Sequence, residues 1–175
     1  MNANVVGTKY LLMPQFETIQ FRLILTAEYW DLPPCAAISI NDVEKFDGAI
    51  IGNKALPQEI VFSHTLEFGN TYRLAIDRYN KNSNQCQILE DGSMRDQLLQ
   101  IHSVIIDEIN IRDIVWTQSR FFPVYPEPWA TEQITLGNTL ETGIIGETIL
   151  GHNGQWVLGI TSPFWQYIFD ESNGL

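Results

Sequence analysis

The chain has 175 residues, with 45% hydrophobic content, 18% charged content and a formal net charge of −11 at pH 7. This length and hydrophobic content are enough to bury a core, which argues against an intrinsically disordered chain. Nucleic acids and anionic lipid surfaces both require a basic footprint, so the acidic balance argues against either as a partner. No apolar run reaches the roughly 18 residues that a membrane-spanning helix needs.

The first residues, MNANVVGTKYLLMPQ, lack the charged start and long apolar stretch of a secretory signal peptide. We therefore expect synthesis in a cytoplasm without export. Cys35 and Cys86 are the only cysteines. A disulfide between them stays open, but two free, buried thiols are the favoured interpretation.

Alternating apolar and polar residues predict the first strand at residues 18–26. This period of two is typical of a strand with one buried face. The predicted buried residues of this strand are Ile19, Phe21, Leu23 and Leu25. A second strand is predicted from Cys35, and a turn at residues 41–42 leads into a short return strand.

Two further strands are predicted at residues 59–68 and 71–79, with a tight turn at Gly69–Asn70 between them. Residues 97–116 are rich in Ile and Val, which favours strand over helix. We expect a long strand there, a turn near Asp107–Glu108 and a short return. The residues predicted to be buried in these strands are Leu74, Ile76 and Ile101.

Residues 80–96 form a polar, Asn-rich stretch between two predicted strands. Long loops in compact domains often carry binding residues. The oxygen-bearing side chains in or beside this loop are Asp77, Asn80, Asn82, Asn84 and Asp96. Calcium prefers such oxygen ligands, but an ordinary Asn-rich loop is the favoured interpretation because Asn also favours turns.

A run of aromatic residues and prolines, FFPVYPEPW, occupies residues 121–129. Its three prolines predict an extended backbone and argue against a helix. The candidates for a subunit interface or for stacking on a sugar are Trp116, Phe121, Phe122, Tyr125 and Trp129. Three interpretations stay open: these rings cap the chain's own domain, dock another subunit or bind a glycan.

The C-terminal third is broken into short pieces by glycines. ETILG and QWVLGI predict a hairpin around HNG, and SPFWQYIFDES fits either a short helix or a final strand. The whole pattern predicts an all-β protein: an antiparallel two-sheet sandwich or jelly roll at 1–116, and an irregular Pro- and aromatic-rich extension at 117–175. We expect this extension to act as a docking arm packed on the same domain.

Sequence signatures of catalysis are absent. His64, His102 and His152 are widely spaced, and no HExxH, CxxC or GxSxG motif occurs. His64 and His102 lie inside strand patterns, where a structural role is the favoured interpretation. The sequence therefore predicts a protein that is not an enzyme and has no certain cofactor.

The segments IQFRLIL, AAISIND, LEFGNTYRLAIDRYNK and DQLLQIHSVIIDEINI occur in this order within residues 18–113. This arrangement resembles the β-sandwich carbohydrate-binding modules of the calcium-dependent xylan-binding type. The resemblance implies that Asn80 and Asp96 are calcium ligands and that Asp107 matches an acidic family position. Two positions depart from the family pattern: Lys81 stands where an acidic residue would help a metal, and Glu108 where a glycine is usual.

A second resemblance lies in PEPWA and in GHNGQW followed by PFWQY. These segments are similar to parts of small structural proteins of tailed bacteriophages. The resemblance implies a virion structural or appendage subunit, made in the host cytoplasm, that forms a homo-oligomer and contacts other virion proteins. The alternative is a calcium-dependent polysaccharide-binding module of a glycoside-hydrolase system.

Overall fold

The computed structural model describes residues 15–173 and shows two antiparallel β-sheets packed face to face. The longer strands are β1 (Phe16–Glu28), β2 (Cys35–Ile40), β3 (Val43–Ala49), β4 (Gln58–Glu67), β5 (Thr71–Tyr79), β8 (Leu98–Ile106), β10 (Arg120–Val124) and β13 (Asn153–Thr161). The short strands are β6 (Cys86–Ile88), β7 (Met94–Asp96), β9 (Ile109–Asn110), β11 (Ile144–Ile145) and β12 (Ile149–Leu150). The helices are α1 (Arg112–Gln118), α2 (Trp129–Thr135) and α3 (Phe164–Asn173), with a 3₁₀ turn at Ser83–Gln85.

The first sheet has the strand order β12-β8-β1-β4, with β9 also paired to β8. The second sheet has the order β11-β10-β13-β5-β2-β3, and β6 and β7 form a separate hairpin. Neighbouring strands pair antiparallel throughout both sheets. The predicted all-β, antiparallel two-sheet sandwich is therefore confirmed.

The core lies between the two sheets and draws residues from both. All seven residues predicted to be buried are buried: Ile19, Phe21, Leu23, Leu25, Leu74, Ile76 and Ile101. Trp156 of β13 is the largest fully buried side chain. Burial of one such large apolar side chain contributes roughly 1.5–3 kcal/mol, so the period-two pattern identifies the stabilising face of each strand.

Two predicted hairpin turns are present. Asn41 and Asp42 join β2 to β3, and Asp107 and Glu108 join β8 to β9, all with positive φ. Two consecutive residues of positive φ match the twist of the flanking strands, which is why such turns close hairpins. The Gly69 turn differs, because it joins β4 of the first sheet to β5 of the second.

The predicted hairpin of ETILG with QWVLGI is wrong. β12 pairs with β8 in the first sheet, whereas β13 pairs with β10 and β5 in the second. Leu150 and Trp156 are both fully buried and reach the same core from opposite sides, so the chain crosses between sheets at Gly151 and His152. Asn153 begins β13 rather than a turn, because its side-chain amide pairs with the backbone of Lys81.

Three helices lie where sequence patterns indicated strand, extended chain or an open choice. α1 follows β9 almost directly, and the Asn110 side chain accepts a hydrogen bond from the backbone N–H of Arg112, the first residue of the helix. α2 begins at Trp129, straight after Pro128, since a proline at a helix start leaves no hydrogen bond unmade. α3 shows that SPFWQYIFDES ends as a helix.

None of the helices described within residues 15–173 is long and apolar enough to cross a membrane. Both cysteines are free, with Cys35 half-buried and Cys86 exposed. The expectation of two buried thiols is therefore wrong for Cys86, which belongs to the exposed strand β6.

Candidate functional site

The proline and aromatic run places its rings in different environments. Phe121 lies in the core at 2% exposure, paired across the sheet with Trp156 and Ile144. The next residue, Phe122, is on the opposite side of β10 and is 41% exposed. Alternation along a strand therefore removes Phe121 from the candidate binding residues and makes it part of the sandwich interior.

Tyr125, Trp129 and His152 form an aromatic cluster at one end of the sandwich. The ring centroids of Tyr125 and Trp129 are 5.7 Å apart, and that of His152 is 4.8 Å from Tyr125 and 6.1 Å from Trp129. The Tyr125 hydroxyl donates to the backbone carbonyl of Glu141 at 2.8 Å. Trp129 keeps 40% exposure, so this cluster packs on the domain and also presents a ring to solvent.

Burial lowers the pKa of His152, and the nearby Lys81 and Arg78 cations lower it further against the opposing effect of Asp96. The imidazole is therefore neutral at pH 7 and contributes a ring face rather than a charge. This arrangement places the cluster directly beside the polar loop that follows β5.

Arg78 lies inside the sandwich, just before that loop in the chain, and is only 1% exposed. One guanidinium nitrogen donates to the backbone and side-chain oxygens of Gln97 at 2.9 and 2.7 Å, and the other donates to Asn153 Oδ1 at 3.0 Å. Burial lowers the pKa of Arg78 to about 10, so the side chain stays charged at neutral pH. Sequence reasoning missed Arg78, although its spacing from Leu74 and Ile76 puts it on their buried face.

The calcium ligands implied by the family resemblance already have other partners. Asn80 has a φ of 71°, and its side chain accepts from Cys35 N at 3.3 Å and donates to the Pro33 carbonyl at 3.0 Å. Asp96 Oδ1 accepts from Gln97 N at 2.8 Å and pairs with the Lys81 ammonium at 2.5 Å. Asn80 and Asp96 do not fit a calcium site, because a protein cation contacts the carboxylate.

Within residues 15–173, no three His, Cys, Asp or Glu side chains come together as a group that could hold a metal ion. Calcium binding requires several carboxylate and carbonyl oxygens that surround one point. The loop after β5 instead supplies hydrogen bonds that connect strands.

A groove with a volume of about 560 Å³ runs along β8 beside α1. Ile114 and Val115 of α1 are buried and anchor the helix on the core, which leaves the following Trp116 at 52% exposure. We call this feature the Trp116 groove; it is lined by Ile24, Gln100, Ile101, His102, Ser103, Val104, Ile105, Asn110, Arg112, Val115, Trp116 and Thr148. It is the candidate ligand site.

Polar side chains with free hydrogen-bonding groups line the same groove as Trp116. Gln100, His102 and Arg112 make no side-chain hydrogen bond or ion pair with any residue that the structure describes. Gln100 and His102 alternate with the buried Leu99 and Ile101, so the period of two turns them outward. An exposed indole beside unpaired donors and acceptors can stack on one flat apolar face and bond hydroxyl groups at its edge.

Trp116 was one of five aromatic candidates from the sequence, whereas the polar residues that line the groove with it were missed. His102 was interpreted as a structural residue, but it is exposed in the groove. The alternation of β8 could have placed Gln100 and His102 outside. Arg112 had no such signal, because helix α1 was not predicted.

No protein-family profile matches the sequence, and no curated protein matches it. One similar solved structure is vCBM60 in complex with galactobiose, with a TM-score of 0.45 and 11% identity, covering 80% of this chain and 97% of that one. Another is a selenomethionine form of vCBM60, described in connection with circular permutation between two families of calcium-dependent carbohydrate-binding modules. It has a TM-score of 0.47 and 8% identity and covers 81% and 90%. Because both TM-scores are below 0.5, neither likeness decides what this chain binds.

Proposed function

We propose that this chain is a non-catalytic saccharide-binding protein whose ligand lies in the Trp116 groove. The observation that carries the proposal is the exposed Trp116 ring in a groove of about 560 Å³ where the Gln100, His102 and Arg112 side chains have no partner among the described residues. A sugar ring has an apolar face that stacks on an indole and an edge of hydroxyl groups that bond polar side chains. Both requirements are met by residues on rigid elements, β8 and α1.

The expected ligand is an oligosaccharide that lies along the groove. Trp116 supplies the stacking surface, while Gln100, His102 and Arg112 offer hydrogen bonds to hydroxyl groups. Covering one large aromatic side chain contributes roughly 1.5–3 kcal/mol. Loss of the indole should therefore weaken binding roughly 10- to 100-fold.

Isothermal titration calorimetry against a panel of soluble neutral and acidic oligosaccharides tests this proposal. We expect the wild-type chain to bind at least one of them, and Trp116→Ala to lose about tenfold or more in affinity. Trp165→Ala is the matched control, because Trp165 is 65% exposed but lies on α3, outside the groove.

Equal affinities for wild type and Trp116→Ala would contradict the assignment of the groove. A larger loss in Trp165→Ala than in Trp116→Ala would also contradict it. No binding to any member of the panel would remove the saccharide proposal.

Protein docking is a second candidate function, favoured by the exposed apolar side chains of α3. Trp165 and Phe169 are each 65% exposed and lie about one turn apart on the helix. Protein docking is also what the sequence-based prediction of a phage-particle subunit requires. That role, the homo-oligomer and the location in a virion stay predictions. Sedimentation equilibrium of wild type and Trp165→Ala tests the homo-oligomer, since a self-association that involves α3 should weaken in the variant.

A further inference from the structure

The Lys81 side chain links the start of the polar loop after β5 to the end of that loop through an ion pair. Its ammonium lies 2.5 Å from Asp96 Oδ1 and donates to the backbone carbonyl of Gly151 at 2.5 Å. The side chains of Lys81 and Asp96 are only 12% and 17% exposed. One cation therefore joins three distant parts of the chain: the start of the loop, the end of β7 and the crossing between β12 and β13.

The backbone of Lys81 is also fixed, by two hydrogen bonds to one side chain. Its N–H donates to Asn153 Oδ1 at 2.9 Å, and its carbonyl accepts from Asn153 Nδ2 at 2.9 Å. This double contact sets where the lysine side chain starts. The position of the ammonium is consequently set by the folded backbone and not by a flexible contact at the surface.

The charges around this point disfavour an additional cation. Arg78, Lys81 and Asp96 all act electrostatically on His152. The positive charges of Arg78 and Lys81 lower its pKa, and the negative charge of Asp96 raises it. The three ionic groups Arg78, Lys81 and Asp96 sum to one positive charge. A divalent ion beside Asp96 would meet two fixed cations and one carboxylate.

We infer that the Lys81 ammonium replaces a bound metal ion at the meeting point of Asp96 and Gly151, and that the fold is therefore independent of calcium. A carboxylate oxygen and a backbone carbonyl are ligands that calcium accepts, and here they contact an ammonium instead. Exchange of Lys81 for a carboxylate should remove the internal cation, add oxygen ligands and create a calcium-responsive site. This inference does not depend on the saccharide proposal, since it concerns thermal stability alone.

Thermal unfolding of the full chain tests the inference after dialysis against EDTA and again with CaCl₂ up to about 10 mM, a range that covers weak protein calcium sites. The wild-type melting temperature should change by less than about 1 °C. Lys81→Met, which removes the charge and keeps the length, should melt lower and not respond to calcium. Lys81→Asp should melt lower in EDTA and rise by roughly 5–10 °C at a hundredfold excess of calcium over its Kd.

Three results would overturn the inference. The first is a calcium-dependent rise in the wild-type protein, since it would show that an ion binds while Lys81 is present. The second is a folded Lys81→Asp that ignores calcium. If Lys81→Asp does not fold with or without calcium, Lys81→Met decides: a lowered melting temperature supports the inference, and an unchanged one is the third result against it.

Discussion

Phe121 and Phe122 provide a matched pair for deciding whether the proline and aromatic run belongs to the domain core. Phe121 is 2% exposed and lies against β13 and β11, whereas Phe122 is 41% exposed on the other side of the same strand. Truncation of a buried phenylalanine to alanine costs about 3–5 kcal/mol, because apolar contacts are lost and a cavity is left. For a domain of this size each kcal/mol corresponds to about 2–4 °C, so Phe121→Ala should lower the melting temperature by roughly 6–20 °C.

Phe122→Ala is the control for this loss. It removes the same atoms one residue along the strand but leaves no enclosed cavity, so we expect a loss of about 1 kcal/mol or less. That loss corresponds to roughly 2–4 °C. The difference between the two variants thus reports the burial of Phe121 and not the general effect of losing a benzyl group.

Differential scanning calorimetry measures both melting temperatures, and urea unfolding checks that the dependence on denaturant is unchanged. Similar small losses for the two variants would refute the placement of β10 over the core. They would return residues 117–135 to the status of an arm that needs a partner for burial.

Three further predictions concern the cluster and the buried arginine. The pKa of His152 is lowered in the folded state, so the unfolded chain binds a proton at this group before the folded chain does as pH falls. The folded state is therefore most stable with respect to this group above about pH 6.5, and it loses stability below that pH. His152→Gln should reduce the loss of urea midpoint between pH 7 and pH 5.5, and an unchanged loss would argue against this role. Trp129→Ala should cost about 0.5–1.5 kcal/mol in calorimetry through lost ring contacts, and a variant as stable as wild type would leave Trp129 free for a partner. Arg78→Met should lower the free energy of unfolding in urea by about 3 kcal/mol or more, because Gln97 and Asn153 lose a buried charged donor. A loss under about 1 kcal/mol would contradict a stabilising role for these hydrogen bonds.

The strands and their buried faces could be predicted from the sequence because both follow from neighbouring residues. In β1, alternate apolar side chains lie on one face of an extended chain, and all four predicted residues are buried. The hairpin turns at Asn41–Asp42 and Asp107–Glu108 were predicted for the same local reason. Helix α1 was missed, because Ile and Val favour strand and the N-cap residue, Ile111, has no capping side chain that would signal a helix start.

The assignment of strands to sheets required contacts between distant residues. The sequences of β12 and β13 favour a hairpin, yet each strand gains more by covering the shared core from its own side. Leu150 and Trp156 are both fully buried in this arrangement. A local turn signal was outweighed by burial that depends on the whole sandwich.

The sequence by itself determined that this chain is an acidic, all-β protein with Trp116 among five candidate aromatic residues and a polar loop that contains Asn80, Lys81 and Asp96. Only the tertiary structure decided which groups meet there. It brought Trp116 of α1 and Gln100 of β8 into the lining of one groove, and it put the Lys81 ammonium against Asp96 where the family resemblance implied calcium. The physical reason is that composition and periodicity report each residue's burial, whereas the partner of a charge is set by distances that only the folded backbone defines.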